Sequence, residues 1–242
     1  ALAGGAGNDI ILTGAGSDTI TYAVTTSGFG QNVTVTSGRD FVDGGTTSLV
    51  NNRDSGSDTF VLNGSNAAET FKIMTRAEAL LHGITGLNDN TEIVITRQAG
   101  NVNNTTFTNM VVLAELDNIE EIRVNTFGAT AANPNHNSGN SGGDAIQILG
   151  NFGTVASPLT SLNFSTITID GGASDTVDIS GLTSDHRIVF NGAASTNQVI
   201  GTLRPQDVVN LSGTGGGTGD TNGGQSFNEV QGSDRSEKIR GT

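Results

Sequence analysis

The stretch GGAGNDIIL-TGAGSDTIT, residues 4–21, consists of two consecutive nine-residue units with one shared pattern. In each unit an aspartate stands two residues after a glycine, and an aliphatic residue, Ile11 or Ile20, follows two residues later. Glycine permits the positive φ angles of tight turns, and alternate residues of a strand point to the same face. The pattern therefore predicts short strands joined by glycine-rich corners, with each unit forming half a turn of a β-roll.

The same units predict a calcium site. The nonapeptide pattern G-G-x-G-x-D-x-U-x binds Ca²⁺ through carboxylate and backbone carbonyl oxygens. The predicted ligands are Asp9 and Asp18, and the glycines expected to shape their loops are Gly5, Gly7, Gly14 and Gly16.

In a β-roll the loops alternate between two sides, and one ion lies between loops two units apart. The next nonapeptide, residues 22–30, contains no aspartate, so neither opening loop has a same-side partner within the regular pair. We therefore expect the segment to begin inside a longer calcium-binding array.

Weaker copies of the unit occur further along the chain. Residues 38–42 and 56–60 keep the Gly-x-Asp-x-apolar half of the pattern, which makes Asp40 and Asp58 candidate ligands. Ordinary Gly/Asp turns between strands are the alternative. Residues 170–178, DGGASDTVD, are one glycine short of a full unit. Asp175 is the candidate ligand there, with Asp170 and Asp178 as further options, and a plain solenoid corner is the alternative.

Composition supports an all-β fold and a cationic partner. The chain has 242 residues, of which 35 are glycine, while only 14% are charged and 5% are aromatic. This balance is typical of a turn-rich, elongated β-protein. A net charge of −13 with only 11 Lys and Arg argues against nucleic acid as a partner and favours cations. Because cysteine is absent, calcium is the expected replacement for disulfide staples.

The predicted organisation has four parts. Residues 1–63 form a calcium β-roll that is first regular and then degenerate, and residues 64–211 form a body whose parallel β-solenoid or β-sandwich character stays open. A Gly-rich linker at 212–231 leads to residues 232–242, which read as the entry to a further repeat. The sequence contains no run of about 18 apolar residues and therefore predicts no membrane span.

Within the body, β-branched runs predict strands at 59–63, 69–74, 91–97, 106–116 and 119–125. Shorter apolar strands are predicted at 146–149, 167–169, 177–179, 188–190 and 208–211. One short helix, residues 76–82, is predicted from the capping box of Thr75 and Glu78 and the stop at Gly83, as a cap on a sheet. Residues 126–143 predict an exposed loop.

Catalytic motifs are missing from the sequence. His82, His136 and His186 lack any metal-binding spacing, and the neighbouring Glu120 and Glu121 point to opposite faces of a strand. Nucleophile-elbow, P-loop and Rossmann patterns do not occur. We therefore expect the chain not to be an enzyme.

Beyond the nonapeptides, several short sequence segments resemble the non-catalytic region of large secreted bacterial RTX proteins, which carry hemolysin-type calcium repeats. These segments lie at residues 58–71, 116–122, 167–172, 186–190 and 201–208. In some members such segments follow an animal-type haem peroxidase domain. The resemblance implies type I secretion, calcium-triggered folding outside the cell and a surface or matrix role. The haem-contacting segments have no counterpart here, so peroxidase activity would belong to another part of such a protein.

Together these features predict a calcium-binding structural module, a spacer or assembly unit, in a secreted or cell-surface protein. Its expected partners are calcium ions and neighbouring repeats of the same or adjacent chains, with cell-surface polysaccharide or self-assembly as further candidates. Two alternatives stay open: a subunit of a surface layer or extracellular fibre, and the accessory tail of a secreted peroxidase or polysaccharide-active enzyme.

Overall fold

The computed structural model describes residues 7–24, 26–27, 34–35, 38–46, 56–65, 67–101, 107, 109–126, 143–153, 164–172, 174–193, 197–212, 229–231 and 239–241. Gly5, residues 127–142 of the predicted loop and residues 213–228 of the predicted linker lie outside this part of the chain. The described strands form two large, mostly parallel sheets and one small antiparallel pair. The predicted all-β class with one short helix is confirmed.

Sheet I contains nine strands. In spatial order they are β1 (Ile10–Leu12), β5 (Asp40–Asp43), β9 (Val111–Asp117), β8 (Ile93–Ala99), β7 (Glu69–Thr75), β11 (Ala145–Leu149), β13 (Thr176–Asp178), β15 (Gln198–Ile200) and β17 (Glu229–Gln231). Strand β17 falls inside the segment for which the sequence predicts a linker.

Sheet II contains seven strands, all paired in parallel. In spatial order they are β18 (Ile239–Gly241), β16 (Val208–Ser212), β14 (Arg187–Ala193), β12 (Thr166–Gly171), β10 (Glu121–Asn125), β6 (Thr59–Asn63) and β2 (Thr19–Ala23). A separate two-stranded pair is formed by β3 (Thr26–Ser27) and β4 (Thr34–Val35).

The chain alternates between the two sheets and so builds a parallel solenoid, in which one strand of each sheet makes a coil. Strands β1 and β2 lie in different sheets, as expected for half-turn units. Register places like residues side by side along each sheet. One buried row of sheet II consists of Ile20, Phe60, Ile122, Ile167 and Ile188. These rows form a single continuous core between the sheets.

An antiparallel insertion interrupts the coils in sheet I. Strand β8 runs antiparallel to both β7 and β9, and this places two additional strands between β5 and the later coils. In sheet II, β6 pairs directly with β10, so that sheet continues without interruption. The strand predicted at 106–116 begins only at Val111, because Asn109 adopts a φ of 62°, which breaks the extended conformation.

The helix α1 (Arg76–Leu81) covers the outer face of this insertion. Its buried Ala79 packs with Met74 and Val94 in a second, smaller apolar cluster. Lys72 lies buried on the same face, with Nζ 3.9 Å from the centroid of the Phe107 ring. Burial lowers the pKa of Lys72 to about 8, partly opposed by the charge of Asp178. The prediction of a helix that caps a sheet is confirmed.

Only half of the predicted capping box forms. The amide of Glu78 donates to Oγ1 of Thr75, but the carboxylate of Glu78 lies 2.9 Å from Nε2 of His82, one helical turn along. At the other end, Gly83 has a φ of 78° and its amide bonds to the carbonyl of Leu80, so the helix stops where the sequence predicts.

Replacing Thr75 with alanine should lower the free energy of unfolding by about 1 kcal/mol, because the amide of Glu78 loses its acceptor at the helix start. Thr75→Ser keeps the hydroxyl and should lose much less. Urea denaturation of both variants measures the difference. Equal losses would show that the Thr75 methyl group, rather than the cap, stabilises this end.

Candidate metal-binding corners

The five predicted aspartate ligands occupy equivalent places in the fold, at corners where the chain enters a strand. Asp9, Asp40 and Asp175 stand at the entry to sheet I, in front of or at the start of β1, β5 and β13. Asp18 and Asp58 precede β2 and β6 at the entry to sheet II. The Gly-x-Asp-x-apolar pattern therefore marks solenoid corners at Asp9, Asp18, Asp40 and Asp58, and the shortened unit at 170–178 marks another at Asp175.

The two degenerate units supply the same-side partners that the regular pair lacks. In register, Ile10 pairs with Phe41 and Thr19 pairs with Thr59, so residues 38–40 lie beside the first opening loop and residues 56–58 beside the second. The amide of Arg39 donates to Oδ1 of Asn8, and the amide of Ser57 donates to Oγ of Ser17. The opening loops thus stack on the next coil despite the long segments between them in sequence.

At the entry to sheet I, four corners are each joined to a side chain of the following coil by a hydrogen bond from a main-chain amide. The bonds run from Asp9 N to Asp40 Oδ1 (3.0 Å), Glu69 N to Asp144 Oδ1 (2.6 Å), Asp144 N to Asp175 Oδ1 (2.7 Å) and Asp175 N to Asn197 Oδ1 (2.8 Å). We call each such bond a rung. All rungs have the same direction along the solenoid.

The entry to sheet II repeats the arrangement. The rungs there run from Asp18 N to Asp58 Oδ1 (2.6 Å), Asp58 N to Glu120 Oε2 (2.8 Å) and Ile188 N to Asp207 Oδ1 (2.8 Å). Each acceptor is the residue aligned with its donor on the neighbouring strand. The corner acids therefore form two carboxylate ladders, one at each entry.

Burial changes the acidity of several rung carboxylates. Burial raises the pKa of Asp40, and the negative charge of Asp9 raises it further. The hydrogen bond from the main-chain amide of Asp9 partly opposes this rise. Burial likewise raises the pKa of Asp175, against hydrogen bonds from the Asp144 amide, the Thr126 hydroxyl and the Gly172 amide.

Asp207 follows the same trend with a different set of neighbours. Burial raises its pKa and is opposed by the amides of Ile188 and Arg204 and by the Arg204 charge, while Asp185 adds a small rise. The desolvated carboxyl group is the common cause in all three rungs.

The glycines fall into two groups. Gly7, Gly14 and Gly16 have φ angles of 118°, 89° and 123°, and a Cβ built on any of them would meet nothing within 4 Å. Gly38 and Gly143 also have positive φ, but a Cβ there would collide with the backbone of Gly7 or of Ser174 on the adjacent coil. The opening loop at Gly7 is therefore packed backbone against backbone on the next coil, as the corner at Gly143 is, while the side to which a Cβ of Gly7, Gly14 or Gly16 would point is open.

Asp9 is the corner acid best suited to a cation. Its Oδ2 atom is buried and has no hydrogen-bond partner among the described residues, and its charge acts on the Asp40 carboxylate of the next coil. Asp18 holds the equivalent place at the other corner, facing Asp58. Asp40 and Asp58 each have one carboxylate oxygen bonded to an amide, and both carboxylate oxygens of Asp175 accept hydrogen bonds. These three carboxylates therefore have less capacity to bind an ion.

The other two candidates of the 170–178 unit have structural partners. Asp170 pairs with Arg123 at 2.5 Å and accepts from Nδ2 of Asn191 at 2.8 Å. Asp178 accepts the amide and hydroxyl of Ser180. Both carboxylates thus stabilise local structure.

Sequence reasoning missed a second group of buried acids, at the exit of β5. Asn118, with a φ of 51°, donates its side-chain amide to Asp43 Oδ1 and its main-chain amide to Glu92 Oε2. Asp117 is buried beside it. The available sequence signal was an asparagine between acids, a residue type that tolerates positive φ. Over the described ranges, no three His, Cys, Asp or Glu side chains come together as a metal-binding group.

His186 has a structural environment. Its Nδ1 lies 2.8 Å from Oγ of Ser184 and its Nε2 lies 2.9 Å from the carbonyl oxygen of Phe164. Burial lowers the pKa of His186, and the charge of Arg204 lowers it further against an opposing hydrogen bond and Asp185. The ring therefore joins two corners as a neutral imidazole.

The fold and its corners define the class of the protein as a two-sheet parallel β-solenoid with one antiparallel insertion. Comparison with protein-family models, with curated proteins and with solved structures finds no match to the chain. In the part of the chain that the structure describes, no helix has the length and apolar character needed to cross a membrane.

Proposed function

We propose that the chain is a structural solenoid module of a secreted or cell-surface protein, and that it binds calcium at the entry corners of its first coil. The observation that carries the proposal is the buried, unpartnered Oδ2 of Asp9 beside the carboxylate of Asp40. Two close carboxylates repel each other, and a divalent cation between them would remove that repulsion.

The surrounding loop favours the same ion. Gly7, Gly14 and Gly16 adopt positive φ, the backbone conformation that the tight turns of a calcium loop require. Calcium accepts six to eight oxygen ligands in flexible geometry, and weak sites of this kind suit the millimolar calcium outside cells. A net charge of −13 adds a general attraction for cations. In this proposal Asp9 and Asp18 are the principal ligands.

Calcium should raise the melting temperature of the chain, since an ion that binds only the folded state adds about 2.7 kcal/mol at a hundred times its Kd. The measurement is thermal unfolding in excess calcium and in excess chelator, with magnesium as the ionic control. In chelator the double variant Asp9→Asn/Asp18→Asn should melt at or above the wild-type temperature, because the repulsion between the corner carboxylates is relieved, and it should lose the response to calcium.

A matched control is Asp89→Asn, which removes a charge from an exposed turn. This variant should keep the full calcium response. The proposal is wrong if wild type melts at the same temperature in calcium and chelator, or if the double variant still responds fully.

A further inference from the structure

We propose that the first coil of the solenoid is a docking surface for the last coil of a second copy of the chain, so that copies stack end to end. The docking surface consists of β1, β2 and the corner acids Asp9 and Asp18, and its occupant is the end formed by β17 and β18. This inference goes beyond calcium binding and does not require it.

Both ends of the solenoid leave one strand edge open in each sheet. Strands β1 and β17 are the outermost described strands of sheet I, and β2 and β18 are the outermost described strands of sheet II. The pairing of each of these strands with its neighbour is parallel. A second copy shifted along the solenoid would therefore place its β17 beside β1 and its β18 beside β2, and would continue both sheets in the same direction.

The main chain of β1 has hydrogen-bonding groups on its open edge. The carbonyl of Asp9 accepts the amide of Phe41, and the amide of Thr13 donates to the carbonyl of Asp43, so the odd-numbered residues of β1 face β5. Successive residues of a strand in a parallel pair direct their main-chain groups to opposite sides, and the amide of Leu12 therefore points away from β5. In the described ranges no strand lies beside that edge. Such an edge is a template for a further strand.

Strand β2 repeats this arrangement in sheet II. The amide of Thr59 donates to the carbonyl of Asp18, and the amide of Val24 donates to the carbonyl of Asn63, so the even-numbered residues of β2 face β6. The amide of Thr21 therefore points to the open edge. Because β1 and β2 are the consecutive strands of the first coil, the two open edges lie at the same end of the solenoid.

The two carboxylate ladders begin at this end without a donor. Every side chain that accepts a rung from the preceding coil is buried, with at most 8% of its surface exposed. Asp9 and Asp18 hold the first position of each ladder, are partly exposed, and accept no rung in the part of the chain that the structure describes. Main-chain amides of a docked coil would complete both ladders. A rung uses one carboxylate oxygen, so the other oxygen stays free for a calcium ion.

Apolar residues at both ends fit the same arrangement. Ile10 and Leu12 on β1 are 66% and 37% exposed, whereas Phe41, which is aligned with Ile10 on the next strand, is 5% exposed. In sheet II a row of aligned apolar residues runs from Tyr22 on β2 to Ile239 on β18. A second copy in register would place its Ile239 beside Tyr22 and so continue the row.

The charges of the two ends are complementary. Residues 1–21 contain two acids and no Lys or Arg. Residues 232–242 carry one positive charge in excess, from Arg235, Lys238 and Arg240 against Asp234 and Glu237. The contact therefore joins a negative end to a weakly positive one, although the whole chain carries a net charge of −13. Because it joins different surfaces of identical chains by a shift along one axis, it does not close, and it predicts linear filaments.

The test is the association of the full chain in excess chelator, at about 0.15 M salt to screen the overall charge. Wild type should show a mass that rises with concentration in sedimentation, and rods that lengthen at constant width in electron microscopy. The double variant Leu12→Pro/Thr21→Pro removes only two open-edge amides, so it should stay folded but associate at least about tenfold more weakly. The matched control Leu12→Ala/Thr21→Ala keeps both amides and should still form rods.

Mixing the proline variant with wild type identifies the end that is used. Its β17 and β18 end is unchanged, so a small amount of the variant should add to wild-type rods, stop their growth and shorten them. Should the double variant not fold, Thr21→Pro alone provides the test. The proposal is overturned if wild type stays monomeric at every concentration, if the proline variant forms rods as wild type does, or if the alanine control loses assembly to the same extent.

The same variants separate this proposal from calcium binding. Both proline substitutions leave Asp9 and Asp18 in place, so the effect of calcium on the melting temperature can be measured on the proline variant. Rods that form without any calcium response would contradict only the metal site. A calcium response in a chain that never associates would contradict only the end-to-end contact.

Discussion

Alanine at position 143 is expected to lower the free energy of unfolding by roughly 3–5 kcal/mol, enough to remove much of the stability of a typical domain. Gly143 has a φ of 63°, and a Cβ built on it would collide with the main-chain carbonyl of Ser174 on the adjacent coil. Neither backbone can move away easily, because the next residues, Asp144 and Asp175, form a rung at 2.7 Å. Urea denaturation measures the loss.

Gly83→Ala is the matched control for this prediction. Gly83 also has a positive φ, 78°, but a Cβ there would meet nothing within 4 Å. Gly83→Ala should therefore lose only the free energy that the left-handed conformation costs an alanine, about 1 kcal/mol. If both variants lose the same amount, backbone conformation alone decides the effect, and the close stacking of corners contributes nothing.

The corners show why the sequence predicts where an aspartate lies in the fold better than it predicts what that aspartate binds. The Gly-x-Asp-x-apolar pattern lies at the strand entries at Asp40 and Asp58, and the shortened unit at 170–178 lies at the entry at Asp175. The same aspartate can bind an ion or accept an amide, since both uses need one carboxylate oxygen directed at the neighbouring coil. At Gly38 and at Gly143 the backbone of the adjacent coil fills the space where a Cβ would stand. That space depends on which coils are neighbours.

Coil neighbours could not be predicted because the intervals between strands are uneven. Residues 38–40 stack on the opening loop although long segments separate them, and the pair β8 and β9 enters sheet I between β5 and β7. Periodicity within each strand predicted most of the strands themselves, including Thr59–Asn63. The order of the strands within each sheet depends on which buried rows pack side by side in three dimensions. No local sequence pattern contains that information.

The buried acids at β5 show a related limit. Asp43 and Glu92 are far apart in sequence and are joined only by Asn118, which hydrogen-bonds to both. A motif search finds ligands at fixed spacing, and these residues have none. The ion pair of Arg97 and Glu69 also has no fixed spacing in the sequence. In addition, hydrophobic patterning predicts apolar residues, and not a charged pair, at positions that point into the core.

Replacing Arg97 with methionine should lower the free energy of unfolding by roughly 3–5 kcal/mol. Nε of Arg97 forms an ion pair with Glu69, and both side chains are almost completely buried, at 3% and 0% exposure. The second carboxylate oxygen of Glu69 accepts the amide of Ser65 at 2.6 Å. Without Arg97 the carboxylate would stay buried with no opposite charge, which is costly. Chemical denaturation near neutral pH measures the loss.

Two further variants decide whether the lost charge is the cause. In the double variant Glu69→Gln/Arg97→Met, glutamine still accepts the Ser65 amide and no charge is buried, so most of the lost stability should return. Arg123→Met breaks a comparable pair with Asp170, but the Arg123 side chain is 54% exposed, and the loss should stay below about 1 kcal/mol. If the double variant is as unstable as Arg97→Met, the shape of the arginine, and not its charge, supports this part of the core. If Arg123→Met is equally harmful, burial is not what makes the Arg97 pair important.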